Sequence, residues 1–66
     1  MIYLMELARK LPGGTQLVLR SLRGHVLETS AFALLTRERE KRDIWADGKV
    51  DQMDVDGDVL TVFVYF

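Results

Sequence analysis

The run Val59-Leu60-Thr61-Val62-Phe63-Val64-Tyr65-Phe66 constrains this chain more than any other segment. β-Branched and aromatic residues dominate it, and the run reads as a strand. Successive side chains on a strand point to opposite faces. Val59, Thr61, Phe63 and Tyr65 therefore share one face, and Leu60, Val62, Val64 and Phe66 share the other. Both faces are apolar except for one threonine, so both need cover. A helix on each face, a closed barrel wall or another protein chain would supply it. A strand in this position could also lie at a sheet edge open to pairing, which makes a homodimer through the C-terminal strand an expectation.

The rest of the chain supplies few elements to do the covering. Leu4, Leu7, Ala8 and Leu11 recur at the spacing of one helical face, which predicts a helix over residues 2–11. Pro12, Gly13 and Gly14 end it, and Arg9 and Lys10 suit the negative end of its dipole. Residues 15–22 read as a strand and 25–30 as its antiparallel partner, turning at Arg23-Gly24. Residues 31–42 are rich in helix formers, Ser30 is a candidate N-cap, and Glu38 and Arg42 are spaced as an i, i+4 ion pair. A second helix is favoured there over a charged strand. Asp47-Gly48 and Asp56-Gly57 carry the hairpin signal, which predicts that residues 44–46 pair with 49–53 and that this strand pairs with 59–66.

The order of helix, glycine turn, Leu17 to Leu22, Arg23-Gly24 and then Val26 onward resembles the opening of the Sm-like small barrels. That resemblance implies an N-terminal helix followed by a strongly bent sheet. It covers about half the chain, Thr29 lies near the position where those folds carry a glycine, and their second characteristic block is absent, so no RNA-binding residue is carried over. The fold expected from the residues is α+β: an N-terminal helix packed on a four- or five-stranded antiparallel meander. A small five-stranded barrel is the alternative.

With 66 residues the chain can bury one core, and 1–66 is read as a single domain. It has no cysteine, hence no disulfide or thiolate metal site, which fits a reducing compartment and makes the cytoplasm the expected location. No apolar run approaches the length of a membrane span, and the opening residues lack the basic start and cleavage site of a signal peptide.

Equipment for chemistry is sparse. There is one histidine, His25, read as a solvated loop residue, and neither Ser21 nor Ser30 sits in a nucleophile motif. Asp54, Asp56 and Asp58 alternate around Gly57, but aligning Gly57 with the glycine of a calcium loop places Gln52 and Phe63 where carboxylates belong. No phosphate-cradling loop is present. The sequence therefore reads as non-enzymatic, with no cofactor and no metal.

Charge is the more informative pattern. Residues 1–42 hold eight basic and four acidic side chains, net +4, whereas residues 43–66 hold Lys49 against six aspartates, net −5. Opposed patches of this kind set register and exclude wrong partners. Candidate contact residues are the acidic set Asp51, Asp54, Asp56 and Asp58, the basic set Arg37, Arg39, Lys41 and Arg42, and Trp45 as an anchor. For Trp45 a place in the core is favoured over a contact role. The expected function is a protein-binding module that occupies a surface of a larger protein, in the manner of small regulators and inhibitors of phages or mobile elements, an analogy resting on size. Nucleic-acid binding through residues 37–42 is the alternative. A net charge of −1 and the acids at Glu38 and Glu40 weigh against it.

Overall fold

The computed structural model describes residues 2–38 and 44–66. The elements are β1 (Ile2–Tyr3), α1 (Leu4–Lys10), β2 (Gln16–Ser21), β3 (Val26–Ser30), α2 (Ala31–Glu38), a 3₁₀ turn (Ile44–Asp47), β4 (Lys49–Asp56) and β5 (Val59–Tyr65). The five strands form one sheet in the order β1-β4-β5-β2-β3. The architecture is α+β, as expected. The sheet is nevertheless mixed, because β5 runs parallel to β2 while every other neighbouring pair is antiparallel. It is also open, with β1 and β3 at its two edges, so the barrel is excluded.

The mixed topology follows from the helix at 31–38. A meander needs a hairpin between every pair of consecutive strands, but helix formers follow β3 at once and carry the chain away from its edge. The next strand, β4, enters beyond β5 on the far side of β2. The helix is well started. Ser30 Oγ accepts the amide of Ala33 at 3.2 Å, while the amides of Ala31 and Phe32 donate to Thr15 and Gly13 carbonyls at 3.0 Å each. Three donors that a helix start leaves unsatisfied thus find acceptors, two of them in the loop after α1.

The first helix is shorter than its apolar spacing suggests. It spans Leu4–Lys10, and Ile2–Tyr3 instead pairs with Val50 and Lys49. The Tyr3 amide donates to Glu6 Oε1 at 3.3 Å at the helix start. The chain then turns after Pro12, whose carbonyl accepts the Thr15 amide at 3.0 Å.

Of the two expected hairpins in the C-terminal third, one forms. β4 and β5 join through a two-residue turn at Gly57-Asp58, where Gly57 has a φ of +63°, one residue along from the Asp56-Gly57 pair expected to form it. The other is overturned: residues 44–47 form the 3₁₀ turn, and β4 pairs with β1 on that side. Gly48 is needed for a different reason. A Cβ there would lie 2.4 Å from Val64 Cγ1 and 3.2 Å from the Trp45 carbonyl oxygen. The strand can pass this close to β5 because the residue has no side chain.

Both helices lie on one face of the sheet. Leu17 and Leu19 of β2 and Val62 and Val64 of β5 join Leu4, Met5 and Ala8 of α1, Ala31 and Leu34 of α2, and Trp45 in a single buried cluster. Across the top of this layer Arg9 Nη2 holds both carboxylate oxygens of Glu38, at 2.8 and 3.1 Å. The expected partner of Glu38, Arg42, lies outside the described residues. No helix among the described residues is long and apolar enough to cross a membrane.

Candidate functional site

Strand alternation and register fix what the other face of the sheet carries. With Leu17, Leu19, Val62 and Val64 turned toward the helices, Val18 and Arg20 of β2 and Val59, Thr61, Phe63 and Tyr65 of β5 turn away. No helix among the described residues covers them, so the second face of the C-terminal strand has no covering layer among the described residues. β5 itself lies between β4 and β2, hydrogen-bonded on both sides. The backbone edges of β5 are therefore both taken up within the sheet, and a second copy could meet this strand only through its face.

The open face is organised in rows across the strands. Tyr65 lies beside Lys49 and Tyr3; Phe63 lies between Gln52 and Arg20; Thr61 lies between Asp54 and Val18; Val59 lies between Asp56 and Gln16. Glu28 of β3 extends the third row beside Val18. Lys49 Nζ sits 5.7 Å from the Tyr3 ring centroid, within range of a cation–π contact. An apolar column thus runs down β5, with Lys49, Arg20 and the bulge residue Asp51 toward one end of the face and the carboxylates of Asp54, Glu28 and Asp56 toward the other.

At the outer side of the sheet β4 forms an arm. β1 pairs only with Lys49 and Val50, leaving the backbone edge from Asp51 to Asp56 without a neighbouring strand among the described residues. A bulge at Asp51 interrupts the register to β5. Beyond it the helices do not reach the sheet: Met53 and Val55, on the same face as the core, are 50% and 71% exposed. Asp54 and Asp56 occupy the opposite face of the arm, and Asp58 lies in its terminal turn. The acidic candidates are therefore brought together on one hairpin.

The other candidates are dispersed. Trp45 is 3% exposed and packs in the core, tilted against the Phe66 ring at 5.8 Å, the place favoured for it over a contact role. Arg37 lies near the end of α2, away from the arm in sequence and engaged within the protein. Arg39, Lys41 and Arg42 lie outside the described residues. Among the described residues no group of three or more His, Cys, Asp or Glu side chains is placed to hold a metal ion.

Comparison of the chain with protein-family models, with curated proteins and with solved structures gives no match.

Two further features bear on chemistry. Ser21 Oγ lies 3.2 Å from His25 Nδ1, a serine–histidine pair absent from the sequence reading. The same oxygen accepts the amides of Arg23 and His25 at 3.2 and 3.3 Å, and the Ser21 amide and carbonyl close the turn with His25 and Gly24. Those bonds make Ser21 the tie of the β2–β3 turn. A working nucleophile also needs a third group to orient its base, and no carboxylate bonds to His25 among the described residues. A pocket of about 380 Å³ opens beside this turn, with Arg20, Ser21, Asp51 and Phe63 among the residues that line it. Its charged lining residues are Arg20 and Asp51.

Proposed function

We propose that this chain is a small non-enzymatic protein-binding module, a cytoplasmic regulator or inhibitor that holds an extended, basic segment of a larger protein along the outer edge of β4. One observation carries the reading: the six-residue edge from Asp51 to Asp56 has no neighbouring strand among the described residues, and side chains on both of its faces are exposed. Unpaired strand edges are templates for another strand, with main-chain hydrogen bonds giving affinity and side chains giving selectivity. Asp51, Asp54 and Asp56 favour lysine and arginine on the incoming segment, and Met53 and Val55 offer it an apolar contact.

The same charges disfavour the competing occupant. Antiparallel pairing of β4 with another β4 would bring like charges together, which is unfavourable for cross-strand neighbours. The opposite edge, β3, is less suited, because it is shorter and runs directly into α2. A chain of this size fits the regulators and inhibitors of phages and mobile elements by analogy.

Incorporating a photo-crosslinking amino acid at Val55, with Lys10 on α1 as the control position, tests the reading in the native cell. The expected product is a discrete adduct to another protein from position 55 alone, mapped by mass spectrometry to a basic segment. Adducts of equal yield from both positions, or none from 55, would overturn it.

A further inference from the structure

Binding along the edge of β4 leaves the apolar column of the open face unused, and the distribution of charge on that face points to its occupant. We propose that the open face binds a second copy of this chain, stacked face to face with the strands of the two sheets antiparallel. The surface shares Asp54 and Asp56 with the β4 arm but not the arm's backbone edge or Met53 and Val55, and the inference goes beyond the binding role assigned to that edge.

The argument rests on self-complementarity. Along the strands the face changes net sign: Lys49 and Arg20 occupy the first two rows, with the single carboxylate of Asp51 at the bulge beside Arg20, and Asp54, Glu28 and Asp56 occupy the last two. Rows are about 7 Å apart, since each spans two residues of a strand. A two-fold axis in the interface, perpendicular to the strands and between the second and third rows, sets the first row of one copy on the fourth of the other. Lys49 then faces Asp56 of the second copy, and Asp56 faces its Lys49. Arg20 comes over the row that holds Asp54 and Glu28. The apolar column meets its own reverse, Phe63 over Thr61 and Tyr65 over Val59.

The alternative two-fold, parallel to the strands, superposes acidic rows on acidic rows and is disfavoured by repulsion. Isologous contacts of this kind require a patch complementary to itself. A face of one sign would instead call for a partner of the other sign. Stacking also supplies the layer that Val18, Phe63 and Tyr65 lack, since a packed second sheet lies about 10 Å away. The bare edges of both β4 strands stay outside this interface, so the dimer would present two arms.

The experiment is solution mass by light scattering across a concentration series, with circular dichroism confirming the fold of each variant. Wild type is expected to be a dimer whose dissociation constant rises as salt is raised from 50 to 500 mM. Lys49→Asp and Asp56→Lys, each alone, should weaken it at least tenfold. An equimolar mixture of the two should recover a dimer, because each reversed charge then meets its opposite in both symmetric contacts. Lys49 and Asp56 lie at opposite ends of one strand, so recovery cannot arise within a single chain. A wild type that is monomeric at all concentrations would overturn the proposal, as would a dimer indifferent to both substitutions, or variants whose mixture stays monomeric. None of these outcomes alters crosslinking from Val55, which reports on the edge of β4.

Discussion

The rings of Trp45 and Phe66 meet with centroids 5.8 Å apart and planes inclined at 53°, fastening the 3₁₀ turn that precedes β4 to the residue that follows β5. Trp45 is almost fully buried, whereas Phe66 is 45% exposed, so the phenylalanine shields the indole at the rim of the core. An aromatic pair in this geometry contributes about 1 kcal/mol beyond area burial. Phe66→Ala is expected to lower stability by at least that amount and to shift the tryptophan emission of the folded state to longer wavelength. Equilibrium urea unfolding followed by fluorescence checks both; an unshifted native spectrum would mean that Phe66 does not screen the indole.

Gly48 makes a second prediction, of opposite character. Its Cβ would collide with Val64, a core residue on β5, so Gly48→Ala must push two strands apart or force Val64 from its rotamer. Overpacking of this kind costs roughly 1–3 kcal/mol. Gly14→Ala, where nothing lies within 4 Å of the added carbon, is the matched control and should leave stability nearly unchanged. If the clash is the cause, Val64→Ala in the Gly48→Ala background should cost less than Val64→Ala alone, a difference that a double-mutant cycle measures.

The same glycine shows where the sequence was legible and where it was not. Asp56-Gly57 and Asp47-Gly48 look alike as local hairpin signals. The first pair lies at the β4–β5 turn, where Gly57 has positive φ; the second lies beside a 3₁₀ turn, where Gly48 admits Val64. Turn chemistry is local and can be read from neighbouring residues. A close approach depends on which strand passes by, and that is decided by topology.

Topology also explains the fate of the C-terminal strand. Its two apolar faces were evident in the alternation from Val59 to Phe66, and Val62 and Val64 do face the helices. Its central, partly parallel position was not, because parallel pairing with β2 involves residues about forty positions apart and leaves no turn signal between them. The same holds for the candidate contacts. Asp54, Asp56 and Asp58 are clustered in sequence and so remain together on the hairpin, whereas Arg20 and Lys49 reach the open face only through the sheet register. The bare edge of β4 was likewise hidden, since it exists because β1 is only two residues long.

Phe32 and Leu34 separate surface from core on α2. Leu34 is fully buried between α1 and the sheet, and Phe32 is 69% exposed near the helix start. Leu34→Ala deletes packed atoms and leaves a cavity, at a cost of about 2–5 kcal/mol. A domain of this size commonly has only about 3–5 kcal/mol in total, so a substantial unfolded population is expected by circular dichroism at 25 °C. Phe32→Ala should shift the urea midpoint little. A larger loss at Phe32 than at Leu34 would contradict the placement of α2.

Arg9 and Glu38 join the ends of α1 and α2 through one guanidinium nitrogen and both carboxylate oxygens. Arg9 is 56% exposed and Glu38 33%, so water screens the pair and its contribution is small despite the short contact. Exposed ion pairs measured by double-mutant cycles give about 0.2–1 kcal/mol. Arg9→Ala, Glu38→Ala and the double variant should show a coupling in that range that shrinks between 50 mM and 1 M salt, as screening shortens the reach of surface charges. Glu38→Gln is the informative fourth variant, because it keeps a hydrogen-bond acceptor and removes the charge. If coupling survives in Glu38→Gln and is independent of salt, hydrogen bonding aligns the helices; if both vanish together, the attraction is Coulombic. Zero coupling at low salt would show that the core beneath, Leu4, Ala8, Ala31 and Leu34, holds the two helices without this contact.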